Sequence, residues 1–265
     1  LLSAVLRPAP LCAVSTPSAA DSPAFRSASS DNPYSHGMVQ ILDDRCFCTL
    51  GTSNSTLSND YITALATDSR GFVWIGTASG LNLYDGISIV TWYAEDLGTG
   101  TAYIRRIFED SRGDVWIGTD TGLTRYIRSL GTFCPIDFPS EEGTVIENRI
   151  SDIREDSRGD IWISVGDQGL FSWSRDSGRL HNYFFEDGQM AVPLGITSIC
   201  LDGEGQLFYA LYYNDLYRIS LDRLRDGHGA ATAVSPIFRG DDICDMRLAP
   251  DGSIYTCGTS SGLCR

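Results

Sequence analysis

The chain contains no lysine; all 20 of its basic residues are arginine. That excludes Schiff-base chemistry and the lysine that reaches the phosphates in nucleotide-binding loops. Histidine is scarce as well. His36, His181 and His228 are scattered, and none lies near a serine or cysteine motif of known nucleophile geometry. No run approaches the roughly 18–20 apolar residues of a membrane-spanning helix. The eight cysteines, Cys12, Cys46, Cys48, Cys134, Cys200, Cys244, Cys257 and Cys264, never form Cys-x-x-Cys pairs, so a zinc site is not expected. They read either as small buried hydrophobes or, in an exported chain, as a source of a Cys257–Cys264 bridge across a turn. Positive charge is in deficit. With 34 acidic against 20 basic residues the formal net charge is −14, which argues against DNA, RNA or an anionic membrane surface as partner.

What the sequence does have is a repeat, and a fixed period decides the architecture before any local reading. Asp68-Ser69-Arg70-Gly71-Phe72-Val73-Trp74-Ile75-Gly76-Thr77 returns as Asp110-Ser111-Arg112-Gly113-Asp114-Val115-Trp116-Ile117-Gly118-Thr119. It returns again as Asp156-Ser157-Arg158-Gly159-Asp160-Ile161-Trp162-Ile163-Ser164. Each copy opens with Ile, has an apolar residue three later, Gly at nine and an aromatic at twelve. Ile196, Ile199, Gly205 and Phe208 keep this frame, as do Ile243, Met246, Gly252 and Tyr255. The starts at 62, 104, 150, 196 and 243 lie 42, 46, 46 and 47 residues apart. Within one unit, short aromatic and β-branched runs alternate with Gly-bearing turns: Ile62 to Asp68, Phe72 to Thr77, Leu81 to Tyr84 and Ile87 to Tyr93. Four short antiparallel strands per unit, at a period in the forties, describe a β-propeller blade. The fold class is therefore all-β, a propeller of four-stranded blades. About five blades are present, as an incomplete part of a longer propeller. The aromatic at position twelve is expected to wedge between blades, and Asp68, Asp110 and Asp156 to cap their turns.

Residues 1–37 are rich in Ser, Ala and Pro and read as a leader and linker. Whether Leu1 to Ala20 is the remnant of a secretory signal stays open. The propeller then occupies 38–265. Met38 to Leu42 and Phe47 to Leu50 are strand candidates, the second as the outer strand of a last blade. Asp222 to Ser235 is expected to be a longer loop, and the last blade to be cut short.

With the pattern Ile-x-x-Ile-x-x-Asp-x-x-Gly-x-x-Trp-Ile-Gly-Thr-x-x-Gly-Leu, the stretch from Ile104 to Tyr126 resembles the two-component regulator propeller repeat. The likeness covers about 47–265, tightly in the first three blades. Gln206-Leu207-Phe208-Tyr209-Ala210 and Ala249-Pro250-Asp251-Gly252 depart from the pattern. The resemblance implies the periplasmic sensor region of a hybrid two-component histidine kinase of Bacteroidetes type, with a propeller that is usually seven-bladed, so that the five blades here are an incomplete part of one. In such receptors many propellers respond to oligosaccharides, and a membrane helix, kinase and DNA-binding region lie downstream. It also leaves room for a homodimer of the full-length receptor. No cofactor, metal or catalytic group is expected in this chain.

A ligand is expected where the loops differ between copies, namely the loops into strand one and between strands two and three. The candidates are Asn59, Tyr61, Tyr103, Asn148, Arg149, Tyr212, Tyr213 and Asn214. Aromatic rings beside amides suit sugars, which offer an apolar ring face and hydroxyl edges. Two other readings remain beside a sensor that binds an oligosaccharide without turnover. These are a secreted propeller enzyme, a polysaccharide lyase or hydrolase, and a protein-interaction scaffold.

Overall fold

A computed structural model describes residues 50–138, 148–183, 195–212, 216–226, 232–235, 243–259 and 262–265. The expected leader, the strand candidates up to residue 49, and Cys46 and Cys48 lie outside these residues. Blade 1 is β1 (Ile62–Thr67), β2 (Val73–Thr77), β3 (Leu81–Tyr84) and β4 (Ile89–Trp92), paired antiparallel in that order. A short α1 (Ala94–Leu97) leads into blade 2, formed by β5 (Ile104–Glu109), β6 (Val115–Thr119), β7 (Leu123–Ile127) and β8 (Thr132–Ile136). Blade 3 holds β9 (Ile150–Glu155), β10 (Ile161–Val165), β11 (Gly169–Trp173) and β12 (Leu180–Asn182). Blade 4 holds β13 (Ile196–Leu201), β14 (Gln206–Leu211), β15 (Leu216–Ser220) and β16 (Thr232–Ser235). The described part of blade 5 is β17 (Ile243–Leu248), β18 (Ile254–Gly258) and β19 (Gly262–Cys264). The first strands β1, β5, β9, β13 and β17 pack side by side in sequence, so the five sheets form a propeller.

The stretch Asp222 to Ser235 is not simply a loop. It contains α2 (Leu221–Arg225), whose Leu221 and Leu224 are buried three residues apart, followed by β16. Cys257 and Cys264 do not form the bridge that their spacing suggested. Cys257 stands opposite Leu263 and Cys264 opposite Thr256, so the two thiols leave opposite faces of the pleat. Cys200 is buried as a small hydrophobe, whereas Cys134 and Cys244 are exposed.

The position-twelve tryptophans do wedge the blades apart. Trp74, Trp116 and Trp162 are fully buried. Trp74 stacks on Trp92 of its own blade at 5.7 Å and meets Tyr126 of blade 2 at 5.4 Å. Trp116 meets Trp173 of blade 3 at 5.1 Å. Trp162 stacks on Tyr183 and shares a buried cluster with Ile199, Leu207 and Tyr209 of blade 4. Removing such a buried ring costs about 3–5 kcal/mol. Glycine two residues after the tryptophan, inside the second strand, lets the first strand of the next blade approach closely. A Cβ on Gly76 would sit 2.5 Å from Ile104 Cγ2, and one on Gly118 would sit 2.5 Å from Ile150 Cγ2. The opening isoleucines Ile104, Ile150, Ile196 and Ile243 are accordingly buried against the preceding blade, whereas Ile62 of blade 1 is exposed, as is Leu65 beside it.

The aspartates cap their turns and do more. Asp68 Oδ1 accepts the N–H groups of Arg70 and Phe72 at 3.0 Å, while Oδ2 accepts the Trp74 indole N–H at 3.2 Å. Asp110 and Asp156 repeat this arrangement with Trp116 and Trp162. An arginine from the following blade then reaches each one. Arg128 pairs with Asp68 at 3.0 Å and Arg175 with Asp110 at 3.1 Å; Arg225 of α2 pairs with Asp156. Glu109 and Glu155 add a second tie, each accepting the N–H and hydroxyl of a serine in the preceding blade, Ser69 and Ser111.

Burial by itself would raise the Asp68 carboxyl, but the Phe72 N–H, the Trp74 indole, the Arg70 N–H and the Arg128 charge together hold it below the usual carboxylate range. Such a group contributes stability at pH values above the unfolded pKa of about 4 and loses that contribution as pH falls through its lower folded value. Asp68→Asn should therefore lose about 1–2 kcal/mol in urea unfolding at pH 7. The gap to wild type should narrow as the pH is taken below about 4; a gap that stays constant would show that the charge contributes nothing. A second expectation concerns Tyr209, buried on Tyr217 with ring centroids 5.3 Å apart and with no hydrogen-bond partner for its hydroxyl among the described residues. Desolvation drives its phenol pKa strongly upward. Tyr209→Phe should leave stability unchanged or raise it by up to about 1 kcal/mol in the same assay, since an unsatisfied hydroxyl is removed.

Candidate functional site

The turns capped by Asp68, Asp110 and Asp156 lie at one end of the blades, where the first strand hands over to the second. The opposite end carries the loops that enter the first strands. There the residue before each opening isoleucine takes an equivalent place in every described case. Its carbonyl accepts the N–H of the residue following the second strand: Ala78 to Tyr61 at 3.1 Å, Asp120 to Tyr103 at 3.3 Å, Gly166 to Arg149 at 2.8 Å and Tyr212 to Gly195 at 3.0 Å. These bonds clip the two variable loops of each blade together.

The residue after each opening isoleucine is also special. Pairing slips between Ile62 and Ala64, Ile104 and Arg106, Ile196 and Ser198, and Ile243 and Asp245. In blade 3 the same slip appears between Ser164 and Val165, opposite Ile150 to Asp152. A β-bulge therefore leaves Thr63, Arg105, Ser151, Thr197 and Cys244 outside the ladder, and bulges re-aim side chains. The clipped residues and the first four of these bulge residues line one cleft of about 420 Å³, together with Arg106 and Tyr212.

Of the eight residues expected at the site, Tyr61, Tyr103, Arg149 and Tyr212 come together on this cleft. Tyr61 and Tyr212 are more than half exposed, at 63% and 51%. Asn59 and Asn148 lie beside it as loop pins. Asn59 Oδ1 accepts the Tyr61 N–H at 2.7 Å and its amide donates to Ser79 Oγ, while Asn148 accepts from the Gln168 amide. Tyr213 and Asn214 lie outside the described residues. In blade 4, Gly195 presents no side chain to the cleft, and Tyr212 supplies the aromatic from the other loop. The run around it divides accordingly: Tyr209 belongs to the core and Tyr212 to the rim.

Arg105, Arg106, Ser151 and Thr197 were not singled out in the sequence, because a bulge is a fact of register that composition does not reveal. Arg105 forms an ion pair with Asp120 and lies over the Tyr103 ring at 5.2 Å. Arg106 reaches across to the Cys244 carbonyl at 3.4 Å and stands 3.6 Å from Asp152. Asp152 is wholly buried and accepts from Ser198 Oγ at 2.8 Å and from the N–H groups of Ile199 and Ile153. Arg154 pairs with both Asp152 and Asp245, the latter at 3.4 Å. This network ties the first strands of blades 2 to 5 beneath the cleft. Asp152→Ala should cost about 3–5 kcal/mol in thermal or urea unfolding, because Arg106 loses its counter-charge and Arg154 one of its two where water is scarce. A cost below about 1 kcal/mol would mean that Arg106 and Arg154 are solvated without it.

Comparison with known proteins fits this geometry. Residues 56–79, 98–121 and 144–167 match the two component regulator propeller, each stretch containing the first two strands of its blade. No curated protein matches the chain. Among solved structures, the extracellular domain of BT3049 from B. thetaiotaomicron, described as a hybrid two component system, is similar with a TM-score of 0.67 and 20% identity. The match covers 82% of this chain and 30% of that one. The extracellular domain of BT4673 from the same organism gives 0.62 and 21% over 77% of this chain and 26% of that one. Virginiamycin B lyase from Staphylococcus aureus gives 0.57 and 17% over 77% and 69%. The chain thus spans less than a third of the two extracellular domains it matches. Stretches of its first three blades match two component regulator propeller repeats, and the chain shares the propeller fold of those extracellular domains.

Proposed function

We propose that this chain is the ligand-sensing propeller of a hybrid two-component signalling receptor and binds an oligosaccharide without turning it over. The observation that carries this reading is the cleft itself. Tyr61, Tyr103 and Tyr212 stand around it, interleaved with the hydroxyls of Thr63, Ser151 and Thr197 and with arginine donors. Rings supply stacking faces for sugar rings, and hydroxyls and guanidiniums supply partners for their edges. The likeness of fold to extracellular domains described as parts of two component systems supports a sensor role and an extracytoplasmic, periplasmic placement. In the whole receptor, a kinase beyond a membrane helix would read out occupancy, with a homodimer as the signalling unit.

The likeness to a lyase keeps turnover in view as a second reading. The residues lining the cleft are Tyr, Ser, Thr, Arg, Ile and Gly, a set richer in binding groups than in groups suited to general acid–base work near neutral pH. Calorimetry of the 265-residue chain against plant and host oligosaccharides should give saturable binding, with no new reducing ends or unsaturated products after prolonged incubation. Tyr61→Ala, Tyr103→Ala and Tyr212→Ala should each weaken binding about ten-fold, the equivalent of roughly 1.4 kcal/mol, while Tm moves little. Product formation would replace the sensor by a propeller enzyme. Failure of every saccharide to bind would leave the cleft to a protein partner.

A further inference from the structure

We propose that the ligand of this cleft is an anion, a saccharide bearing carboxylate or sulfate groups; this rests on reading the cleft as a saccharide site. The first ground is composition. Across the whole chain acidic residues outnumber basic ones 34 to 20, yet the cleft is lined by three arginines, Arg105, Arg106 and Arg149, and by no aspartate or glutamate among the described residues. The second ground is the pairing of those arginines. Arg105 is balanced by Asp120. Below it, three guanidiniums, of Arg106, Arg154 and Arg247, share two carboxylates, Asp152 and Asp245. Arg149 sits exposed on the rim with no ion pair among the described residues. The site therefore carries uncompensated positive charge inside a strongly acidic chain.

The third ground is unspent hydrogen-bonding capacity. Among the described residues Thr63 Oγ1 and Arg106 Nε are shielded from solvent and make no hydrogen bond, Arg106 Nε standing 3.6 Å from Asp152 Oδ1 in a long ion pair, and both residues line the cleft. Buried donors without partners are uncommon in folded proteins, and a bound group that accepts hydrogen bonds would satisfy them. Planar guanidinium forks match the paired oxygens of carboxylate and sulfate better than the single hydroxyls of a neutral sugar. The tyrosines would then hold the ring while the arginines choose its charge.

The test is a binding titration of the whole chain against paired probes, at low and at physiological salt. Each acidic oligosaccharide is set beside its neutral twin: a galacturonic acid tetrasaccharide with its carboxyl-reduced form, and a sulfated galactan tetrasaccharide with its desulfated form. Sodium sulfate and citrate serve as competitors. The expected result is that one acidic member binds at least ten-fold more tightly than its twin, with affinity falling as salt rises. The pair that responds tells carboxylate from sulfate. Arg149→Glu and Arg105→Gln should each remove most of that preference, with unchanged melting curves as the check on folding. Neutral twins binding as well as acidic ones would overturn the anion proposal and leave the saccharide reading standing. Binding of sulfate or citrate, lost in Arg149→Glu, with no saccharide bound, would keep the anion site and overturn the saccharide. Binding of no probe at either salt would overturn both.

Discussion

One buried carboxylate, used three ways, holds successive blades in phase. In Asp68, Asp110 and Asp156, one oxygen shapes the turn of its own blade and the other receives both an indole N–H from that blade and an arginine from the next. The side chains of these aspartates are 0–3% exposed. An isolated charge at such a place is very costly, so it is tolerable only with its donors present together. That requirement couples the spacing Asp, Gly, Trp within a repeat to the position of an arginine in the following one, and so fixes how far each blade is displaced from its neighbour. Arg128 and Arg175 come from the turn after the third strand, whereas the third latch recruits Arg225 from α2. The short helix thus has a physical reason: it carries a guanidinium to the place that the turn serves in blades 2 and 3. Where the tryptophan gives way to Phe208 there is no indole donor, and among the described residues Asp202 keeps only its own turn. The contact of blade 4 with blade 5 then rests on an apolar cluster of Ala210, Leu216, Ile243 and Met246.

Much of this was legible in the sequence because it repeats. The period, the strand limits of blade 1 to within two residues, the wedge role of Trp74, Trp116 and Trp162, and the capping role of the aspartates all follow from comparing copies. What escaped was what a copy borrows from elsewhere. Arg128 and Arg175 sit 12 and 13 residues beyond the tryptophan of their own blade, Arg225 sits 17 beyond Phe208, and each partners a different blade, so no local pattern announces them. The Cys257–Cys264 pairing failed for a related reason: distance along the chain is not orientation, and one residue of register turns a thiol to the other face. For the site, the loops between copies pointed to Tyr61, Tyr103, Arg149 and Tyr212, but not to the amides' use as loop pins or to Arg105 and Arg106.

The two ends of the blades divide the labour. At one end, charged latches and Asp-capped turns repeat with little change, and any variation there would strand a buried charge. At the other, each blade closes its two loops with the same backbone clip, while the side chains on that clip range from Tyr61 and Tyr103 to Arg149 and Gly195. Backbone bonds hold the frame without specifying side chains, which lets the rim differ from blade to blade at little cost in stability. Binding residues on loops set by a rigid scaffold are a general solution to this problem.

The bulge one residue further along extends that logic into the wall of the cleft. In an unbroken ladder, the residue after Ile62, Ile104, Ile150, Ile196 or Ile243 would be held to the alternation of its strand, and its neighbours would restrict it. The slip frees it, and the five positions hold Thr63, Arg105, Ser151, Thr197 and Cys244 while the isoleucine beside them stays apolar. Core and cleft are thereby separated within two consecutive residues. Because the rest of the chain is acidic, arginines at these few positions matter beyond their contacts. A concave, low-dielectric site concentrates the field of its own charges, and an acidic exterior repels anions elsewhere on the surface. Selectivity for charge can therefore reside in single bulge and rim residues, leaving the propeller that carries them unaltered.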